Sequence, residues 1–120
     1  MAVIESKGRF ADAAPITAVP PGSSVRSSTY LLGVSCRPSG HCLAVGGGRN
    51  SSGHSVAMYM IRSAGHWRAA FLAPPPGGTP GPQQLSVLYA VSCLGQLRCN
   101  AVGYYHDRFG VTHAQAAATP

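Results

Sequence analysis

Short apolar runs separated by turn formers set the pattern of this chain. Residues 31–36, 42–47, 55–61 and 66–72 are each six or seven residues long, carry Val, Leu, Ala, Met or aromatic side chains, and are bounded by Gly, Pro, Ser and Asn. Runs of that length predict strands, because a helix needs about 10–12 residues of sustained 3.6-residue periodicity. The turn Arg37-Pro38-Ser39-Gly40-His41 splits the first two runs, and the tight Ser63-Ala64-Gly65 turn splits the last two. Consecutive strands therefore read as antiparallel hairpins. Residues 73–82 hold five prolines and are barred from helix or central strand, since proline fixes φ and lacks an N–H.

The same pattern returns after 57 residues. Leu31-Leu32-Gly33-Val34-Ser35-Cys36 falls on Leu88-Tyr89-Ala90-Val91-Ser92-Cys93, and Cys42-Leu43-Ala44-Val45-Gly46 falls on Cys99-Asn100-Ala101-Val102-Gly103. The same shift lays Ile4–Phe10 over Ile61–Trp67 and Ala13 over Ala70. Two separate segments that share one offset identify a repeat.

In that frame residues 1–14 are a partial repeat (third and fourth strands), 15–27 a linker, 28–72 a complete unit, 73–86 a Pro/Gly linker and 87–120 a partial repeat (first to third strands). Four antiparallel strands followed by a long connection describe a propeller blade. The expected class is all-β, with β-propeller-like blades, about two units and an incomplete ring. Propellers need about four blades at least. Two units therefore predict head-to-tail self-association, residues 1–13 of one copy completing 87–120 of the next. An intramolecular version would fold residues 2–5 and 9–13 beside 111–117.

Composition agrees with strands and turns. Of 120 residues, 15 are Gly, 10 are Pro and only 10% are charged, too apolar for disorder and too rich in turn formers for a helical bundle. The net charge of +6 comes from Lys7 and arginines scattered from Arg9 to Arg108, against only Glu5, Asp12 and Asp107. No basic run alternates with aromatics, so nucleic acid is not an expected partner. No stretch approaches the ~20 apolar residues of a membrane span. Met1–Lys7 has no apolar core behind a basic start, and so does not read as a signal peptide.

The series Leu-x-Gly-Val-Ser-Cys-x5-Cys-x-Ala-Val-Gly, a Gly-rich bend, an Ala-rich strand, Ser-x-Gly-x-Trp and a Pro/Gly linker resembles the repeats of actinobacterial secreted proteins regarded as β-propeller-like. The resemblance covers roughly residues 1–13, 28–72 and 85–117. It implies a propeller-like fold and export, and no defined activity. Ser63-Ala64-Gly65-His66-Trp67 also resembles the tail of the Asp-box hairpin of sialidase-like propellers. Ala64 and Lys7 stand where that hairpin has Asp, and the turn is structural in those families, so no glycosidase activity is implied.

Cys36/Cys42 and Cys93/Cys99 bracket five-residue turns between adjacent strands. Facing positions on antiparallel strands lie ~4.5–5.5 Å apart, within disulfide reach. An even count used identically in both units favours hairpin disulfides and an oxidising compartment. Zinc held by these cysteines and His41 is the alternative, weakened by the five-residue gaps and by Arg98 at the second unit's His41 position. Free thiols are the remaining reading.

Catalytic residues are not expected. His41, His54, His66, His106 and His113 do not repeat at 57 residues. The three acids form no evident pair of the kind glycosidases use, and Ser35 and Ser92 lie in no Gly-x-Ser-x-Gly elbow. Trp67, Phe10 and Phe71 fall on the fourth strand and read as core between blades. Tyr104, Tyr105, His106 and Asp107 fall where the other unit has a Gly-rich bend, and are the candidate ligand contacts. The expected function is a non-enzymatic extracellular repeat module that binds carbohydrate or protein, with no cofactor and no metal. An inactive fragment of a longer propeller is the alternative, and a sialidase-like enzyme a weaker one.

Overall fold

A computed structural model describes residues 5–6, 9–10, 20–22, 29–38, 40–51, 53–72, 85–94, 98–107 and 109–119. Among them every regular element is a strand and every ladder is antiparallel. Strands β1 (Glu5–Ser6) and β2 (Arg9–Phe10) form a short hairpin. Strands β3 (Thr29–Cys36), β4 (Cys42–Arg49), β5 (Ser55–Ser63) and β6 (His66–Phe71) form a four-stranded sheet in chain order. Strands β7 (Ser86–Leu94), β8 (Arg98–His106) and β9 (Thr112–Ala118) form a three-stranded sheet, also in chain order. The expected linkers 15–27 and 73–86 lie outside the described residues, apart from 20–22 and 85–86. Ser86 opens β7, one residue earlier than expected.

The 57-residue repeat is visible pair by pair. Leu31↔Gly46, Val34↔Ala44 and Cys36↔Cys42 in the first sheet match Leu88↔Gly103, Val91↔Ala101 and Cys93↔Cys99 in the second. A β-bulge interrupts both ladders at the same place, at Leu31/Gly33 and at Leu88/Ala90. Ala44↔Met60 matches Ala101↔Ala117. The β1–β2 hairpin pairs Glu5↔Phe10 and Ser6↔Arg9, which is the Arg62↔Trp67 and Ser63↔His66 register moved by the same offset.

The bulge explains the glycine that ends each Ala-Val-Gly. A Cβ at Gly46 would collide with the Tyr30 carbonyl oxygen and stand 2.9 Å from Leu31 Cα. At Gly103 it would meet the Val87 carbonyl and stand 2.7 Å from Leu88 Cα. Only glycine lets the bulged first strand approach the second so closely.

The two sheets stack in the same sense. The first sheet's core face, Leu43, Val45 and Ala57, is covered by Leu88, Cys99 and Ala101 of the second. Moved back by 57, those three are Leu31, Cys42 and Ala44, of which Ala44 and Leu31 belong to the opposite face of the first sheet. That opposite face forms a second cluster of Ala44, Met58 and Met60 with Leu31, Trp67, Ala69 and Phe71. Each sheet thus offers the same face in the same direction.

Hydrogen bonds fix the stack. The Cys93 N–H donates to Ser35 Oγ at 3.2 Å, and the Ala57 N–H to the buried Ser86 Oγ at 2.8 Å. A parallel bridge joins Ser55 to Leu85. The innermost strands touch backbone to backbone, since a Cβ on Gly33 would lie 2.9 Å from the Tyr89 carbonyl oxygen.

The second sheet's outer face is open. Val102 is 51% exposed where its counterpart Val45 is 1% exposed. Leu43, Tyr59 and Ile61 are replaced there by Asn100, Ala116 and Ala118, a smaller and more polar surface.

Candidate functional site

Both cysteine pairs are closed as disulfides, Cys36–Cys42 and Cys93–Cys99, with Cα atoms 4.0 Å apart in each. Each staples the first hairpin of its sheet at its closed end, and thiolates committed to disulfides are not available to zinc. The serine of each Val-Ser-Cys motif also has a structural reading: Ser35 ties β3 to β7 through the Cys93 amide.

The four candidate contact residues are not one cluster on one bend. Strand β8 runs on through His106, so Tyr104, Tyr105 and His106 are in the strand and only Asp107 is in the turn. The first unit does the same, with Gly47, Gly48 and Arg49 inside β4. Period-two alternation then sends Tyr104 and His106 to one face and Tyr105 to the other.

On the outer face Tyr104 is the centre of an aromatic ledge. Its ring centroid lies 5.3 Å from Tyr89 and 6.0 Å from His106, with interplanar angles of 32° and 30°. The Tyr89 and Tyr104 hydroxyls are 3.3 Å apart. That hydrogen bond, with burial and the neighbouring Tyr89 and Tyr30, raises the Tyr104 phenol above its ordinary value. Tyr30 is raised too, by burial and then by the neighbouring Tyr89. Tyr30 and Tyr89 are each a little under half exposed.

A complementary exchange of bulk makes the ledge. In the first unit the Tyr30 hydroxyl lies over Gly47, 2.5 Å from where a Cβ would stand. In the second unit Val87 replaces Tyr30 and Tyr104 replaces Gly47. The large ring has moved from the first strand to the second.

On the other face Tyr105 stacks on His113, centroids 5.3 Å apart. His113 Nε2 is 2.8 Å from Asp107 Oδ2. Asp107 Oδ1 accepts the amides of Phe109 and Val111 at 2.8 and 2.9 Å. His113 first, then these amides, hold the Asp107 carboxyl below its ordinary value. Asn50 has the same post in the first unit, its Oδ1 accepting the His54 amide at 3.0 Å. Asp107 is therefore the residue that fastens a bend. Glu5 lies on β1, and Asp12 is outside the described residues.

A cleft of about 330 Å³ opens between the sheets, lined by Tyr59, Ile61 and Leu72 on one side and Cys99, Ala117 and Thr119 on the other. It continues the core toward the outer edge of β9. Among the described residues its lining is apolar and holds no pair of titratable groups suited to acid–base chemistry.

Sequence reasoning missed Tyr30, Tyr89 and His113 as partners of the candidate residues. Tyr89 is the residue left out of the ladder at the bulge, and nothing in period-two alternation locates a bulge. Comparisons with protein-family models, curated proteins and solved structures find no match to this chain.

Proposed function

We propose that this chain is a non-enzymatic, extracellular module of β-propeller-like repeats, akin to those of the actinobacterial secreted proteins it resembles. It presents a ligand surface and associates head to tail. The carrying observation is the same-sense stacking of two sheets with matched registers, bulges and disulfides. A stacking operation that repeats is the local rule of propellers and other repeat arrays. Two disulfides favour an oxidising compartment.

The ligand surface is the ledge of Tyr89, Tyr104 and His106 on the outer face of the second sheet. Partly exposed tyrosine rings beside an Ala and Val surface suit the apolar faces of sugar rings or a protein loop. Titration of soluble glycans, followed by tyrosine fluorescence, is the direct test. Saturable binding in the wild type that weakens about tenfold in Tyr104→Ala, a loss of roughly 1.4 kcal/mol, is expected. Binding unchanged in that variant contradicts the site. Turnover of a glycoside, abolished in Asp107→Asn, contradicts the non-enzymatic reading.

A further inference from the structure

The bulge in β7 brings together two tyrosines that the repeat itself does not require. Val87 pairs with Tyr104, Leu88 with Gly103 and then Ala90 with Val102, so Tyr89 stands outside the ladder. Val87 and Leu88 are each 2% exposed and belong to the core, whereas Tyr89 is 47% exposed. In the first unit Leu32 and Gly47 hold the positions of Tyr89 and Tyr104, and no pair of rings can form there.

The pair has a geometry suited to oxidative coupling of phenols. Its ring centroids lie 5.3 Å apart and its hydroxyl oxygens 3.3 Å apart, with 32° between the ring planes. The rings therefore converge toward their hydroxyl ends, where the ortho carbons also lie. One-electron oxidation of a phenol, with loss of its proton, spreads unpaired spin onto those ortho carbons. Two rings already held in contact can then couple without a diffusional encounter.

The other tyrosines are placed differently. Tyr105 stacks on His113, Tyr59 lines the inter-sheet cleft, and the Tyr30 hydroxyl lies over Gly47. Among the described residues, Tyr89 and Tyr104 make the one ring contact between tyrosines.

We propose that Tyr89 and Tyr104 are a modification site, at which a haem peroxidase with hydrogen peroxide forms a dityrosine bond within one chain. The oxidant takes one electron and one proton from each phenol. The two phenoxyl radicals join through a bond between ortho carbons, and the hydrogens at those carbons move to the oxygens, which restores both phenols. The chain loses two hydrogen atoms in all, and one molecule of peroxide becomes two of water. The bond joins β7 to β8 a second time, farther from the hairpin turn than the Cys93–Cys99 disulfide. This inference stands apart from ligand binding by the ledge, since it needs only the contact between the two rings.

Oxidation of the full chain by a haem peroxidase with limiting peroxide tests it, read by peptide mass spectrometry after reduction of the disulfides. An equal mixture of ordinary and heavy-nitrogen chains separates bonds within a chain from bonds between chains. The expected product links the Tyr89 and Tyr104 peptides, lacks two hydrogen atoms, comes from a single label state and emits dityrosine fluorescence. Tyr89→Phe and Tyr104→Phe should each abolish that product, and Tyr105→Phe should leave its yield unchanged, with thermal unfolding verifying that each variant folds. A main product that joins chains of different label, or that maps to Tyr30, Tyr59 or Tyr105, overturns the site. So does a wild-type chain that forms no cross-link under conditions that couple free tyrosine.

Discussion

Ala64 opens the two-residue loop between β5 and β6 with φ of 52°, and Gly65 follows at 80°. Both values belong to the left-handed region that a type I′ hairpin turn needs, and alanine is the costly choice at its first position. Ala64→Asn should raise stability by about 0.5–1 kcal/mol, read as an upward shift of the unfolding midpoint in denaturant. Gly46 is the opposite case. Its hydrogen atoms face the Tyr30 backbone, so Gly46→Ala forces the bulge to open and should cost about 1–3 kcal/mol in the same measurement. The tight turn at Ser63–Gly65 was legible in the sequence from spacing. The reason for the motif glycine was not, because it depends on a bulge in the neighbouring strand.

Hairpins and bends carry the next set of effects. Cys36–Cys42 closes a short loop, with a sequence separation of 6. Replacing both cysteines by serine should lower stability by about 2 kcal/mol, measured by denaturant unfolding of the oxidised wild type and the variant. Asp107 and Asn50 fasten equivalent bends, and only Asp107 gains charge-dependent hydrogen bonding, from His113. Its carboxyl titrates below its ordinary value in the fold, so its ionised form stabilises the fold above the unfolded-state value near 4. That contribution is lost as pH falls through the lower folded value. Unfolding midpoints of wild type and Asp107→Asn, compared between about pH 6 and pH 2, should converge as the pH drops. A gap that widens toward low pH contradicts the assignment.

At this scale the hairpins were legible because Pro, Gly and Ser mark their ends. The ends of β4 and β8 were misread, since Gly47-Gly48 resembles a turn although it pairs with Tyr30 and Thr29 in the ladder. The structure differs from the expectation in the same way at Tyr104, Tyr105 and His106, which lie in β8 and not in a bend. A bend would present Tyr104, Tyr105 and His106 together, whereas a strand divides them between two faces.

For the whole molecule, the repeat was legible as a sequence offset and its stacking direction was not. Alternation assigns each side chain to one of two faces without saying which face meets the next sheet. The answer came from Leu43, Val45 and Ala57 lying against Leu88, Cys99 and Ala101. The same stack leaves β9 as the outermost strand of the second sheet among the described residues. Amide hydrogen exchange at Ala114, Ala116 and Ala118, followed against protein concentration, tests that account most directly. If the chain associates head to tail, these amides on the side of β9 away from β8 should gain protection as concentration rises, while Ala101 and Val45 in the ladders stay protected throughout. Exchange at the three alanines that does not change with concentration, in a sample whose mass does, would contradict it.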